Sequence, residues 1–228
     1  MSDRGNDSQE LRARMVNAFE RAYAAALLAG DEIAAEIVIR EAIDAKLSAA
    51  EIDERIIAPA LWLVGELWQR GEISVADEHL ATEISIRVLA LQREAQRVAH
   101  ARARHRVMLA TPAGELHVVA LRMISNLLSE AGYWVVMLGA DVPADALAGA
   151  VRRHHPDVVC LSVTMPLLTR QLLDAVAQVR SAWPAARFVL GGRGLTGPLR
   201  AQVGIEVCER LSDAVDAVDA AIQQAGLN

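Results

Sequence analysis

Hydrophobic residues in the first 95 or so positions recur at helical spacing, and no alternating run typical of a strand interrupts them. Four segments carry this period, at 11–30, 31–46, 48–71 and 74–104. Gly30 and Gly71 supply stop signals, while Ser48 and Ser74 are suitable N-caps, each followed three residues later by an acid. Because the connections are short, we predict an antiparallel four-helix bundle over residues 9–98.

The pattern changes after about residue 105, where short apolar runs alternate with helical segments. The predicted strands are RVMLATP, YWVVMLGA, DVVCLSVT, FVLGG and a last run from Ile205. Helices are expected over residues 117–131, from residue 144, from residue 167, and after the last strand up to residue 224. Strands and helices in this alternation predict a parallel sheet covered on both faces. We therefore expect an α/β domain of flavodoxin-like, Rossmann-like type with five strands over residues 105–228, with ligands bound at the carboxyl ends of the strands.

Composition narrows the class of protein. Hydrophobic residues make up 53% of the chain and aromatic residues 4%, and the polar N-terminus carries no apolar signal segment, so we expect a cytoplasmic globular protein without membrane spans. The net charge of −6 argues against nonspecific binding to nucleic acid. One basic stretch, 97–107, is interpreted as a solvated helix end in preference to a phosphate or partner contact. Cys160 and Cys208 lack metal-ligand spacing and are expected to be buried free thiols.

Glu115 and His117 follow the first predicted strand, in the loop where a ligand would bind. An imidazole in this position can offer one ring nitrogen to a metal while the nearby carboxylate accepts a hydrogen bond from the other nitrogen. The alternative is that His117 caps the following helix and Glu115 is solvated. The local residues alone leave both interpretations open.

Two later strands end in residues that suit the same edge of the sheet. Ser162 and Thr164 close the third strand and offer hydroxyl groups, and Gly191 with Gly192 closes the fourth, where missing side chains allow a planar ligand to approach the backbone. Together with His117, they predict a pocket along this edge.

The ordered set E-x-H-x-x-A (115–120), S-x-T (162–164) and GG (191–192) resembles the cobalamin-binding domain signature D-x-H-x-x-G, S-x-L, GG. The resemblance implies that His117 is the lower axial ligand of cobalt, that Glu115 orients it, and that the displaced nucleotide tail passes Ser162 and Thr164. Adenosylcobalamin, methylcobalamin or hydroxocobalamin is the implied cofactor. The sequence departs from the signature at Glu115, which replaces Asp, and at Ala120, which replaces Gly and adds a methyl group where the tail should pass.

The helical segment carries a second resemblance. Trp68, followed after nine residues by Glu78 and His79, is similar to the W-x(9)-E-H signature of light-sensing cobalamin proteins. The resemblance implies that Trp68 covers the upper ligand of the corrin, while Glu78 and His79 hydrogen-bond to it. Some relatives place a histidine directly after the tryptophan, whereas this chain has Gln69, which leaves the cobalt ligand after illumination unassigned.

Only about eight residues precede the first predicted helix, so the chain resembles the stand-alone antirepressors of the AerR and PpaA type. This resemblance implies a non-enzymatic regulator that contacts a PAS-containing, helix-turn-helix repressor of photosynthesis genes, with little or no independent DNA binding. Homo-oligomerisation is left open. The main alternative is a corrinoid methyl-carrier subunit of a methyltransferase system, and a third is cobalamin storage or a degenerate domain.

Overall fold

The computed structural model describes residues 3–95, 105–195 and 205–223. Packing divides the chain into two compact units, Met1–Ala95 and Gln96–Asn228. The predicted extension of the fourth helix to residue 104 lies outside the described residues, as does most of the basic stretch at 97–107. In the part of the chain that is described, no helix has the length and apolar character needed to cross a membrane.

The first unit is helical, as the sequence predicts. Its elements are α1 (Asp3–Leu28), α2 (Glu32–Asp44), α3 (Ala49–Ile52), a π-helical segment (Asp53–Ile57), α4 (Ala58–Gln69) and α5 (Val75–Ala95). The helix α3, the π segment and α4 follow one another without a break, so the four predicted helices are present. The first begins at Asp3, several residues before the predicted start at about residue 9.

The boundary signals in the sequence explain where the helices begin and end. Gly30 and Gly71 have φ angles of +66° and +72°, the left-handed conformation that glycine adopts at little cost after a helix. Ser48 forms a complete capping box with Glu51 at the start of α3. Ser74 Oγ accepts a hydrogen bond from the backbone nitrogen of Asp77 at 3.2 Å and so caps α5.

The π-helical segment is the one local departure from the predicted third helix. Ala58 donates its backbone N–H to the carbonyl of Asp53, five residues earlier, instead of four. Pro59 follows directly, and in a regular α-helix its ring would collide with the carbonyl four residues before it. The wider turn precedes the proline and relieves this conflict.

A hydrogen-bonded polar pair, Tyr23 and Ser85, lies in the interior of the bundle. Tyr23 is fully buried and donates its hydroxyl to Ser85 Oγ at 3.1 Å, while Ser85 donates to the carbonyl of Ala81 at 2.9 Å. Burial raises the pKa of Tyr23 to about 12, because the charged phenolate would lose its hydration. The pair satisfies its own hydrogen bonds inside the core, as buried polar groups must.

The second unit is the predicted α/β domain. Its strands are β1 (Arg106–Pro112), β2 (Trp134–Val142), β3 (Val158–Ser162), β4 (Arg187–Gly191) and β5 (Ile205–Cys208), and its helices are α6 (Val119–Glu130), α7 (Ala144–His154), α8 (Thr169–Ala182) and α9 (Ala214–Gln223). The strand order is β2-β1-β3-β4-β5, and every pair is parallel. This is the doubly wound order expected for a flavodoxin-like sheet.

Each face of the sheet has its own hydrophobic core. One core packs α7 and α8 on alternate strand residues such as Met108 and Leu161, and the other packs α6 and α9 on their neighbours, including Leu109. Cys160 and Cys208 lie in the second core as buried free thiols, as predicted, and burial raises the pKa of Cys160. The carboxyl ends of all five parallel strands therefore meet at one edge of this unit.

Candidate functional site

The loop after β1 brings Glu115 and His117 into contact. Oε1 of Glu115 lies 2.5 Å from Nδ1 of His117 and also accepts a hydrogen bond from the His117 backbone nitrogen at 3.0 Å. The carboxylate is fully buried, whereas 53% of the imidazole is exposed. Helix α6 begins two residues later, at Val119, with Val118 as its N-cap. The alternative of a solvated Glu115 and a helix-capping His117 is therefore wrong.

The second carboxylate oxygen of Glu115 is also bonded. Oε2 accepts hydrogen bonds from the backbone nitrogens of Thr164 at 2.7 Å and Met165 at 3.0 Å, directly beyond β3. Burial alone would raise the pKa of Glu115, but the hydrogen bonds from His117, Met165 and Thr164 outweigh it and lower the pKa to about 2. The group is thus a carboxylate at neutral pH, and a neutral His117 imidazole beside it carries its proton on Nδ1 and its lone pair on Nε2.

The other predicted edge residues lie at the ends of β3 and β4. Ser162 is buried at the end of β3 and pairs in register with Gly191 of β4. Thr164 is half-buried in the following loop, and its contact with Glu115 runs through its backbone nitrogen. The structure therefore joins Glu115, His117 and Thr164 by hydrogen bonds.

Gly192 has a structural reason to be glycine. Its φ angle is +101°, and a Cβ atom at this position would lie 2.2 Å from the carbonyl oxygen of Val163. The loops after β3 and β4 approach one another this closely because Val163 donates its N–H to Gly191 at 3.0 Å and accepts one from Gly194 at 3.0 Å. This contact accounts for the glycine without a ligand, and a cofactor role of Gly191 and Gly192 remains a prediction.

Trp68 lies one residue before the end of α4, where 43% of its surface is exposed. It follows Leu61 and Val64 at helical spacing, and Val64 is buried in the bundle while Leu61 is half-buried. The indole therefore continues the core-facing stripe of α4, yet it is left partly uncovered at the end of the helix.

Glu78 and His79 lie in the first turns of α5, as predicted. Oε2 of Glu78 is 2.6 Å from Nδ1 of His79, and Oε1 accepts a hydrogen bond from Thr82 at 3.1 Å. The imidazole is 72% exposed and the carboxylate 24% exposed. This pair thus repeats the arrangement of Glu115 and His117, with Nδ1 directed to a carboxylate.

Sequence-based reasoning missed two residues that hold the loop of Glu115 and His117. Thr111 at the end of β1 donates to the carbonyl of Glu115 at 2.5 Å, and Asp141 at the end of β2 accepts from Gly114 at 2.7 Å. An available signal was the position of Asp141 after a strand and two residues before Pro143, since aspartate in such turns bonds nearby backbone groups.

A lone exposed imidazole suits a metal whose other positions are filled by a macrocycle. Among residues 3–95, 105–195 and 205–223, no three His, Cys, Asp or Glu side chains converge as a metal site. A cobalamin would bring most of the ligands of its cobalt with it, so the protein would need to supply a single side chain. His117, oriented by a buried carboxylate, fits that requirement.

Comparison with known families supports cobalamin binding by this chain. A family model described as a B12 binding domain matches residues 105–219, and a second B12 binding domain model matches residues 20–91. The first match covers nearly the whole described α/β unit, and the second lies within the helical unit.

Individual relatives fall into two groups. The chain is 33% identical to the HTH-type transcriptional repressor CarH of Myxococcus xanthus over 82% of its own length, and it spans 60% of the length of CarH. It is 27% identical to the trimethylamine corrinoid protein of Methanosarcina barkeri over 84% of its own length and 91% of that protein.

A solved structure gives the same fold. The monomethylamine corrinoid protein of Methanosarcina barkeri superposes with a TM-score of 0.72 at 16% identity, covering 91% of this chain and 99% of that one. The chain belongs to the B12 binding domain family and is a cobalamin-binding protein.

Proposed function

We propose that this protein is a cobalamin-dependent light sensor that regulates transcription as an antirepressor, with His117 as the lower axial ligand of cobalt. Glu115 supports this assignment because it is buried, ionised and bonded to Nδ1, which makes Nε2 the coordinating atom. The ionised carboxylate also strengthens the imidazole as a ligand. Ser162, Thr164, Gly191 and Gly192 would border the nucleotide tail of the cofactor.

When bound, an alkylcobalamin supplies a cobalt–carbon bond that light cleaves, so the photochemistry belongs to the cofactor. The residues of the chain bind it, orient the lower ligand and limit access to the upper one. We assign Trp68, Glu78 and His79 to the upper ligand. A regulatory output then requires two states of the protein with different affinities for a partner.

The observation that carries the light-sensing proposal is the hydrogen-bonded pair of Glu78 and His79 at the start of α5, separated by nine residues from a half-exposed Trp68. A carrier of methyl groups must leave its upper ligand open to a second protein, and an indole with an oriented imidazole does not serve that purpose. The 33% identity with the repressor CarH supports the regulatory assignment. The proposed partner is a PAS-containing, helix-turn-helix repressor of photosynthesis genes in the cytoplasm, contacted without independent DNA binding.

A methyl-carrier function is the second candidate. It is favoured by the match to the trimethylamine corrinoid protein, because the chain spans 91% of that protein but only 60% of CarH. A carrier would use the same lower ligand, so the α/β unit alone does not separate the two functions.

The test is reconstitution of the full chain with adenosylcobalamin, methylcobalamin and hydroxocobalamin, followed by absorption spectra in the dark and after illumination. We expect bound-state spectra that differ from those of the free cofactor, a persistent spectral change after light, and loss of the bound-state spectrum in the His117→Ala variant. A bound-state spectrum that His117→Ala leaves unchanged would contradict the assignment of the lower ligand.

A second measurement on the same samples distinguishes the antirepressor function from the methyl-carrier function. The antirepressor proposal expects affinity for the repressor to differ between dark and illuminated protein. Methyl transfer from the methylcobalamin-loaded protein to a thiol acceptor, catalysed by an added corrinoid-dependent methyltransferase and without any effect of light on partner affinity, would favour the carrier instead.

A further inference from the structure

Asp141 is a polar residue at the end of β2 that the proposed function does not yet use. Its Oδ1 accepts a hydrogen bond from the backbone nitrogen of Gly114 at 2.7 Å. Its own backbone nitrogen lies 3.0 Å from the carbonyl of Glu115 and 3.0 Å from Oγ1 of Thr111. Asp141 thus contacts two consecutive residues, Gly114 and Glu115, in the loop that leads to His117.

Thr111 closes this arrangement into a ring. Its hydroxyl is buried and donates to the carbonyl of Glu115 at 2.5 Å while it accepts from the backbone of Asp141. The Glu115 carbonyl therefore receives hydrogen bonds from two strands, β1 and β2. The Glu115 side chain is held separately by the loop after β3. Hydrogen bonds thus hold both the backbone carbonyl and the side-chain carboxylate of Glu115, the residue that orients His117.

The backbone of Asp141 adopts a conformation that few residue types tolerate. Its φ angle is +54°, a left-handed conformation that most residues avoid and that aspartate, asparagine and glycine tolerate. The residue reaches this position because the pairing of β1 and β2 shifts register twice, so that Ala110 pairs with Gly139 and Pro112 with Val142. The irregular end of β2 thereby brings the carboxylate to the backbone of Gly114.

We propose that Asp141 is a positioning residue for the lower axial ligand, acting on His117 through the backbone of Gly114 and Glu115. With the acceptor in place, the loop holds Glu115 where its carboxylate meets Nδ1 of His117. Without it, the loop samples other conformations, and coordination by Nε2 then has to order the loop as well. This inference rests on the proposed role of His117.

Three substitutions separate the side-chain acceptor from the backbone conformation. Asp141→Asn keeps Oδ1 and tolerates the left-handed conformation, Asp141→Gly keeps the conformation and removes the acceptor, and Asp141→Ala loses both. We expect Asp141→Gly to raise the apparent dissociation constant for hydroxocobalamin about tenfold, in the range seen when groups behind a metal ligand are removed. Asp141→Asn should stay close to wild type. Urea unfolding of each cofactor-free variant checks that the domain remains folded.

The decisive readout is the electron paramagnetic resonance spectrum of the full chain reconstituted with cobalamin, reduced to cobalt(II) and grown with ¹⁵N-histidine. An axial ¹⁵N nucleus splits the signal into doublets, whereas the ¹⁴N of the cofactor's own base gives triplets. We expect doublets in wild type and Asp141→Asn, and a reduced doublet fraction in Asp141→Gly.

The possible outcomes distinguish this inference from the proposed function. Wild-type protein without doublets would overturn the role of His117 itself. Doublets in wild type that persist at full strength in Asp141→Gly would overturn only the positioning role, even if affinity fell. Loss of doublets in Asp141→Asn to the same degree as in Asp141→Gly would also overturn it, because the acceptor would then not be the cause.

Discussion

Oε2 of Glu115 lies 2.7 Å from the backbone nitrogen of Thr164, a residue 49 positions later in the chain. The same carboxylate reaches His117 through Oε1, so one side chain links the loops after β1 and β3. This double contact gives a reason for glutamate where the family signature has aspartate. The longer side chain spans both partners.

Substitution of Glu115 by aspartate should therefore not be conservative. A side chain one methylene shorter cannot keep all four hydrogen bonds, and an unsatisfied buried N–H costs about 1–3 kcal/mol. We expect Glu115→Asp to lower the free energy of unfolding by about 2 kcal/mol and to weaken cobalamin binding about tenfold. Urea unfolding and absorbance titration measure the two effects. Glu115→Asp with wild-type stability and wild-type affinity would contradict the argument from reach.

Gly192→Ala should destabilise the α/β unit severely. The new methyl group would lie 2.2 Å from the Val163 carbonyl oxygen, and the φ angle of +101° already disfavours alanine. Gly132 is the matched control, because its φ angle is +90° but nothing lies within 4 Å of its Cβ position. We expect a loss of about 1 kcal/mol for Gly132→Ala and at least about 3 kcal/mol for Gly192→Ala in chemical denaturation. Similar losses would mean that the loops after β3 and β4 are not in close contact.

Stability of the protein should decline in alkali through Tyr23. Its pKa is about 12 in the folded state, against an ordinary value of 10.0 for tyrosine, so the native state holds the phenolic proton more tightly. The contribution is complete below pH 10 and is lost as the pH rises towards 12, and amounts to about 3 kcal/mol at most.

Urea unfolding between pH 8 and pH 12 in wild type and Tyr23→Phe measures this contribution. The variant should show a shallower decline, since phenylalanine cannot ionise. Tyr133, the second tyrosine of the chain, is present in both proteins and cancels in the comparison. Parallel curves would show that the pKa of Tyr23 does not differ between the folded and unfolded states, which would contradict the prediction.

Trp68 and Trp62 provide a matched pair for the upper ligand. Both belong to α4 and are 43% and 51% exposed, but only Trp68 follows the core-facing stripe past the buried Val64. Under the proposed function, Trp68→Ala should speed exchange of the upper ligand about tenfold, because the indole no longer shields it from water, whereas Trp62→Ala should not. Stopped-flow absorbance after addition of cyanide to the hydroxocobalamin-loaded protein measures the rate. Equal rates in the two variants would contradict the assignment of Trp68.

The elements of this fold were predictable because their signals are local. Ser48 and Ser74 cap their helices, Gly30 and Gly71 end theirs, and the apolar runs give five parallel strands in the expected order. The contact of His117 with Glu115 was also within reach of the sequence, since the two residues lie two positions apart in one loop.

What the sequence did not reveal depends on contacts between distant segments. Asp141 meets Gly114 only because β2 pairs beside β1 with two register shifts. Gly192 was interpreted as room for a ligand, although the nearest group to its Cβ position is the backbone of Val163. Such close approaches are set by the packing of strand ends, which periodicity does not describe.

The π-helical segment Asp53–Ile57 affects the direction in which the Trp68 side chain leaves the helix axis. A π turn contains one residue more than the α turn it replaces, so all later side chains are rotated by about 100° about the helix axis relative to an uninterrupted α-helix. The direction in which Trp68 projects is thus fixed more than ten residues upstream of the indole itself. Deletion of one residue at 53–57 would replace the π turn by an α turn and leave the direction of the indole unchanged, because the deleted residue is the one that the wider turn accommodates.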